Sequence, residues 1–195
     1  MPRPSLKKER RAEILEAFGR CIARYGVEGA TLERIAEQAG LARSLIRHNI
    51  GNKDELLDAF LDDFLDRADA ESNELFENLP SEGRVATMID WLFSSQPADS
   101  KVVSVTNALI SAAIDRPVLA RRLRDWTASF TDRIGRELDA AFPDSPADDI
   151  EAVASGVAAI YFNFDTMVPL GGVTRLRESS RAAAVRLVET LAGQD

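Results

Sequence analysis

The side chains best suited to chemistry are crowded between Thr31 and Lys53. Arg43, Ser44, Leu45, Arg47, His48 and Asn49 fall on one short segment. A guanidinium presents a planar fork of donors that fits a guanine edge or a phosphate, and Ser and Asn pair with mixed base edges. Thr31, at a helix start, can offer its hydroxyl and free backbone N–H groups to a phosphate. Lys53, in the first turn of a following helix, can add a charge there. Each has a plainer reading: Arg43 and Arg47 as solvated charges, and the lone His48 as a structural or merely exposed imidazole.

A second group lies further on. Tyr161-Phe162-Asn163-Phe164-Asp165 places polar groups inside an aromatic run. With Trp91, Asn107, Ile110, Trp126 and Phe130 it could line an apolar pocket with a few polar contacts, or simply pack a core. Asp165 is the sharpest candidate, because a buried carboxylate needs an Arg, a cationic ligand or a proton. Cys21, the only cysteine, shares an apolar stripe with Phe18 and Ile22 and reads as a small core residue. One cysteine and one histidine leave no disulfide framework and no multi-ligand cysteine or histidine metal site. No G-x-S-x-G or G-x-x-x-x-G-K-[ST] occurs, and no cofactor is expected. The acidic pairs Asp62-Asp63 and Asp148-Asp149 lie on a polar helix face or at a helix start, where charge needs no catalytic reason.

Helices must position all of this. Ile14, Phe18, Cys21, Ile22 and Tyr25 keep helical spacing up to a stop at Gly26. Thr31 caps a short helix with an inner face of Leu32, Ile35, Ala36 and Ala39, closed by Gly40. A third runs from about Ala42 to His48, and Gly51 breaks it. Asn52 and Glu55 form a capping box opening a long helix to about Asn78. Further helices are expected over 84–93 and around Val102 to Ala113, where period outweighs the strand preference of the valines. Two more follow: one capped by Asp115 and reaching about Phe142, one capped by Ser145-Pro146 and ending before Pro169. A last helix carries Leu176, Val185, Leu187, Val188 and Leu191. The chain reads as all-α, with nine or so helices. Two short helices joined by a tight glycine turn form a helix-turn-helix, whose second helix fits the major groove of DNA.

The charge balance divides at the same place. The 195 residues carry 24 Lys and Arg against 32 Asp and Glu, a net of -8, which taken whole argues against nucleic acid. Residues 1–53 hold 11 basic and 6 acidic side chains, a net of +5; residues 54–195 hold 13 and 26, a net of -13. A small basic unit on a larger acidic one suggests a head at 1–53 and a body at 54–195. The basic start Lys7, Lys8, Arg10, Arg11 could solubilise the chain or approach DNA backbone. No apolar signal core follows it, and the apolar run Val153–Val173 is broken by Asn163, Asp165, Pro169 and Gly171-Gly172, so cytoplasmic location without a membrane is expected.

Ile14-Leu15-Glu16-Ala17, Tyr25-Gly26, Thr31-Leu32, Ile35-Ala36-Glu37-Gln38-Ala39-Gly40 and Asn52-Lys53-Asp54-Glu55-Leu56 resemble the N-terminal signature of TetR-type transcriptional regulators. The likeness covers roughly the first third of the chain. It departs at Ala42, where the family has Ser or Thr, at Arg47 and Ile50, where an aromatic is usual, and at Asn49, usually aromatic or His. The resemblance implies a DNA-binding regulator, a repressor held as a homodimer on a palindromic double-stranded operator, and a body that senses a small-molecule effector. It implies that the last two long helices, about Pro146–Val168 and Thr174–Leu191, form the dimer bundle. Ala154 and Ala158 would allow close approach there, and Leu187 and Leu191 would pack across. It also makes the helix from about Asn52 to Asn78 the connecting lever. An all-α ligand-binding protein or enzyme with no DNA role is the alternative.

Overall fold

A computed structural model of the chain describes residues 6–94 and 100–193. Among these residues there are nine α-helices and no strand: α1 (Leu6–Gly29), α2 (Leu32–Ala39), α3 (Arg43–Asn49), α4 (Lys53–Glu77), α5 (Arg84–Leu92), α6 (Ser100–Ala113), α7 (Pro117–Ala141), α8 (Ala147–Met167) and α9 (Thr174–Ala192). A short 3-10 turn, Val168–Leu170, follows α8. The valines of α6 are helical, so the apolar period prevails over their β preference.

Two compact units emerge. The first comprises Met1–Ala68 with Ser104–Ala120, and the second Asp69–Val103 with Arg121–Asp195. The charge-based division at 53/54 falls at the first turn of α4, whereas the first unit continues to Ala68 and takes in a later segment.

In the first unit Ile14, Phe18, Ile22, Ile35, Ile46, Leu56, Leu61 and Leu109 are fully buried. Phe60 meets Phe18 edge-on at 5.4 Å, and a Cβ at Gly19 would come within 3.0 Å of the same ring. Cys21 is buried, and its thiol is pushed up by that burial, with nearby Arg20 and Arg34 opposing. Gly26, at φ 70°, breaks α1 where a stop is expected. Lys7, Lys8, Arg10 and Arg11 belong to the first turns of α1, and Arg10 pairs with Glu13 at 2.8 Å. Asn52 accepts from the N–H groups of Asp54 (2.9 Å) and Glu55 (3.0 Å), while Glu55 accepts from Asn52 N–H (2.7 Å), completing the capping box.

In the second unit α8 and α5 each pack on α9. Met88, Ile89, Ile134, Leu138, Val157 and Ala184 lie at the centre of this core. Arg84 grips Glu137 through two bonds (2.7 and 2.8 Å) and also donates to the carbonyl of Phe76, an orphan group in the last turn of α4, and to that of Leu79 just beyond it. Ala147–Leu170 is long and apolar enough to cross a bilayer, with mean hydropathy 1.2. Its Ile150, Val153, Ala154, Val157, Ala158 and Phe164 are core residues of this unit.

Two expected caps are corrected. The Ala120 N–H donates to the Arg116 carbonyl (2.9 Å), so Arg116 rather than Asp115 occupies the cap position before Pro117. The Ser145 hydroxyl donates instead to the Leu191 carbonyl (3.2 Å), leaving Pro146 at the head of α8 without a side-chain cap.

Candidate nucleic-acid interface

The turn between α2 and α3 is built by Gly40. Its φ of 64° is the left-handed region glycine enters without steric cost, and it closes a Schellman motif: Leu41 N–H to the Ala36 carbonyl (2.9 Å), Gly40 N–H to the Glu37 carbonyl (3.2 Å). At the other end of α2, the Thr31 hydroxyl accepts weakly from Arg34 N–H at 3.4 Å, the expected cap. Ala42 begins α3 with no side-chain bond, which is the deficit its methyl side chain dictates.

Ile46, fully buried, pins α3 against the unit. The opposite face then presents Arg43, Ser44, Arg47 and His48, all exposed, at spacing i, i+1, i+4, i+5. Leu45 is half-buried beside them. The Asn49 side-chain amide donates back to the Leu45 carbonyl (2.7 Å), so its N–H group is engaged within α3. Lys53 is held too: its ammonium donates to the Glu28 carbonyl (3.0 Å) and approaches the Glu28 carboxylate (3.3 Å), instead of standing free at the helix start.

Two residues that matter carry no local signal in the sequence. Glu33, on the first turn of α2, pairs with Arg43 at 2.5 Å. Its own backbone N–H, then the charge of Arg43, the Thr31 hydroxyl and the charge of Arg47 hold its carboxyl below the usual range, against desolvation. The Arg34 guanidinium lies over the Tyr25 ring (4.4 Å to the centroid) and donates to the Gly29 carbonyl at 2.6 Å.

In the second unit the aromatics expected to line a pocket do converge. Phe130 lies 5.7 Å from Tyr161 and 5.5 Å from Phe162, and Trp126 lies 5.9 Å from Phe162. Asp165 stands one turn beyond Tyr161 on α8, and burial raises its carboxyl pKa. Burial, then the charges of Asp165 and Glu71, push the Tyr161 phenol far up. Trp91 does not join the cluster; it lines a cavity of about 870 Å³ with Glu71, Glu74, Leu75, Asn78, Leu79 and Thr87. Asn107 and Ile110 are residues of the first unit, Asn107 half-buried and Ile110 exposed.

The residues expected to pair across a dimer also divide. Ala154, Ala158 and Leu191 are 2%, 3% and 4% exposed within a single chain, so their surface is already spent on intramolecular packing. Leu187 is half-buried against Gly156, where a Cβ would come within 2.9 Å of its Cδ1. The exposed positions of α8 include Ala152, Ser155, Ala159 and Asn163, with Glu151 and Thr166 beside them.

Comparison with known proteins accords with this head. The sequence profile of the bacterial regulatory proteins, tetR family, matches residues 14–60. The HTH-type transcriptional regulator BetI of Vibrio vulnificus is 28% identical over 163 residues, covering 82% of this chain and 81% of that protein. A transcriptional regulator from Pseudomonas aeruginosa PAO1 superposes with a TM-score of 0.79 at 20% identity, covering 95% of this chain and 92% of its own. A regulator from Saccharomonospora viridis, solved in complex with choline, superposes at 0.76 with 18% identity, covering 93% and 96%. From Ile14 through the helix-turn-helix to Phe60, the chain is similar in sequence to the tetR family of bacterial regulatory proteins.

Proposed function

We propose that the protein is a ligand-responsive repressor that binds a palindromic operator as a homodimer. The observation that carries this is the exposed face of α3: four polar or basic side chains opposite one buried isoleucine, within a segment of net charge +5. In this reading Arg43, Ser44, Arg47 and His48 meet base edges. Thr31 and Lys53 meet phosphates, Lys53 exchanging its contact with Glu28, while Leu45 and Asn49 fill the edge of the same surface. Residues 1–53 act as the head and 54–195 as the sensing and dimerising body, working in the cytoplasm where the DNA is.

One seven-residue helix reads few base pairs, so two heads related by a twofold axis are the natural geometry. The exposed small residues of α8 favour it as the meeting face, along with a shallow groove of about 400 Å³ lined by Ala159, Ile160, Asn163, Ser179, Ser180 and Ala183. An effector that binds better to the state whose heads do not fit the operator shifts the population off DNA. The choline held by the Saccharomonospora viridis neighbour supports a small-molecule effector.

The test is binding to random and to selected palindromic duplexes across a salt series. Affinity for random duplex that falls steeply with salt, and a tighter palindrome, are expected. A folded dimer that holds no duplex at low salt would refute the proposal.

A further inference from the structure

Four charges of the first unit meet at one point: Glu28 at the end of α1, Lys53 and Asp54 in the first turn of α4, and Arg116 just before α7. Their contacts are unequal. Arg116 donates to one Glu28 carboxylate oxygen at 2.7 Å, a short charge-assisted bond, and to Asp54 at 3.1 Å. Lys53 stands 3.3 Å from the other Glu28 oxygen, longer than such a bond usually is, and its nearer partner is the neutral Glu28 carbonyl at 3.0 Å. The Arg116 bond is also the foremost cause of the lowered Glu28 carboxyl pKa, ahead of Lys53. Glu28 is the counterion of Arg116 first and a loose anchor of Lys53 second.

Lys53 can leave such an anchor at little cost. Its side chain is 28% exposed, and the carboxylate it leaves behind stays neutralised by Arg116. Without Arg116 the balance reverses. The cluster holds two cations against two anions, and deleting the guanidinium leaves one cation against two anions. A phosphate would then have to compete with the Glu28 carboxylate for the Lys53 ammonium. Winning it would leave an unpaired anion, 73% accessible, beside the DNA backbone, where like charges repel.

We propose that Arg116 is a positioning residue for DNA binding: by holding Glu28, it keeps the Lys53 ammonium available to a phosphate. Arg116 lies outside the span 14–60 matched by the sequence profile, so the segment between α6 and α7 supplies a determinant of DNA affinity that the helix-turn-helix does not contain. This inference rests on the reading above in which Lys53 meets phosphate, and it names the residue that makes the exchange possible.

The experiment titrates the full-length protein with a random-sequence duplex across a salt series, beside melting curves for every variant. Arg116→Ala should weaken binding about three- to tenfold at low salt and make log affinity fall less steeply with log salt, by about 0.9 per chain, the loss of one phosphate contact. Lys53→Gln should reproduce the shallower slope, and Arg116→Lys, which keeps the charge, should retain most of the affinity. Glu28→Gln removes the competitor: alone it should bind at least as tightly as the unsubstituted protein, and combined with Arg116→Ala it should restore both affinity and slope. A merely structural tie would lower the melting temperature of Arg116→Ala and leave the slope of the folded protein unchanged, which overturns the proposal. A slope loss that persists in the double variant also overturns it, because Arg116 would then touch phosphate itself. Weaker binding by Glu28→Gln alone does the same, and this arm stands even where Arg116→Ala fails to fold. An unchanged slope in Lys53→Gln would instead overturn the reading of Lys53 as a phosphate contact, and absence of duplex binding by the folded, unsubstituted protein would overturn the repressor reading as a whole.

Discussion

The guanidinium of Arg116 donates to the carboxylate of Glu28 at 2.7 Å, although 88 positions separate them in the chain. Its other arm reaches Asp54 at 3.1 Å, and Lys53 completes the cluster on Glu28. Three segments of the first unit are tied at one point: the end of α1, the first turn of α4 and the residue preceding α7. The bonds from Arg116 and then Lys53 hold the Glu28 carboxyl below its usual range.

A carboxylate with a depressed folded-state pKa contributes stability above its unfolded value, near pH 4.5, and loses that contribution as pH falls through the folded value. Arg116→Ala should therefore flatten the acid limb of the stability profile, the wild type losing more than the variant between about pH 5 and 3. Melting curves at a series of pH values measure this. The exposure of the pair keeps the difference small. Equal slopes would show that the cluster is not maintained in solution.

The recognition face makes a graded prediction. Arg43→Ala and Arg47→Ala should each cost operator binding about 1–3 kcal/mol if the side chain reads a base, with relaxed discrimination at one position. A residue that touches only phosphate should instead reduce the salt slope by about one unit and weaken all sequences alike. Anisotropy titrations with single-base operator variants separate the two.

Glu33→Gln should act in the opposite sense. The carboxylate beside Arg43 and Arg47 repels phosphate and holds Arg43 in one orientation. Its removal should raise affinity for random duplex and lower the ratio of specific to random binding. Unchanged affinities would mean that the pair with Arg43 is without consequence on DNA.

Ala42→Ser supplies the oxygen that the start of α3 lacks, and should stabilise the fold by about 0.5–1 kcal/mol. Denaturant titration at neutral pH measures it, with an unchanged m-value as the sign that the folded state itself is improved.

On α8, Ala159→Arg places a long charged side chain on the exposed small-residue face and should convert the proposed dimer to monomer, with operator affinity falling far more than random-duplex affinity. Sedimentation and anisotropy read the two effects. A dimer that survives this change meets through another surface.

Much of this molecule is legible in its sequence, and the limits have physical reasons. Helical period places the longer helices of the described residues because each buries one stripe, and Gly26 and Gly40 stand where the backbone leaves the helical region. The face of α3 is readable because Ile46 alone points inward among polar neighbours. Alanines are different: Ala154 and Ala158 face the core while Ala152 and Ala159 face out, and a methyl group carries too little polarity to reveal which. Nor does local pattern show that Lys53 answers to Glu28, or that Ser145 spends its hydroxyl on Leu191, because those partners are distant in the chain.

The isolation of Cys21 has a practical consequence. Its thiol lies 2% exposed in the first-unit core and is less acidic than an ordinary thiol, so neutral-pH alkylating reagents should pass it by. A single cysteine introduced at an exposed site such as Ser44 would then be the one reactive sulfur per chain. Spin labels attached there would report the separation of the two recognition helices in the proposed dimer directly, in a protein that needs no background cysteine removed.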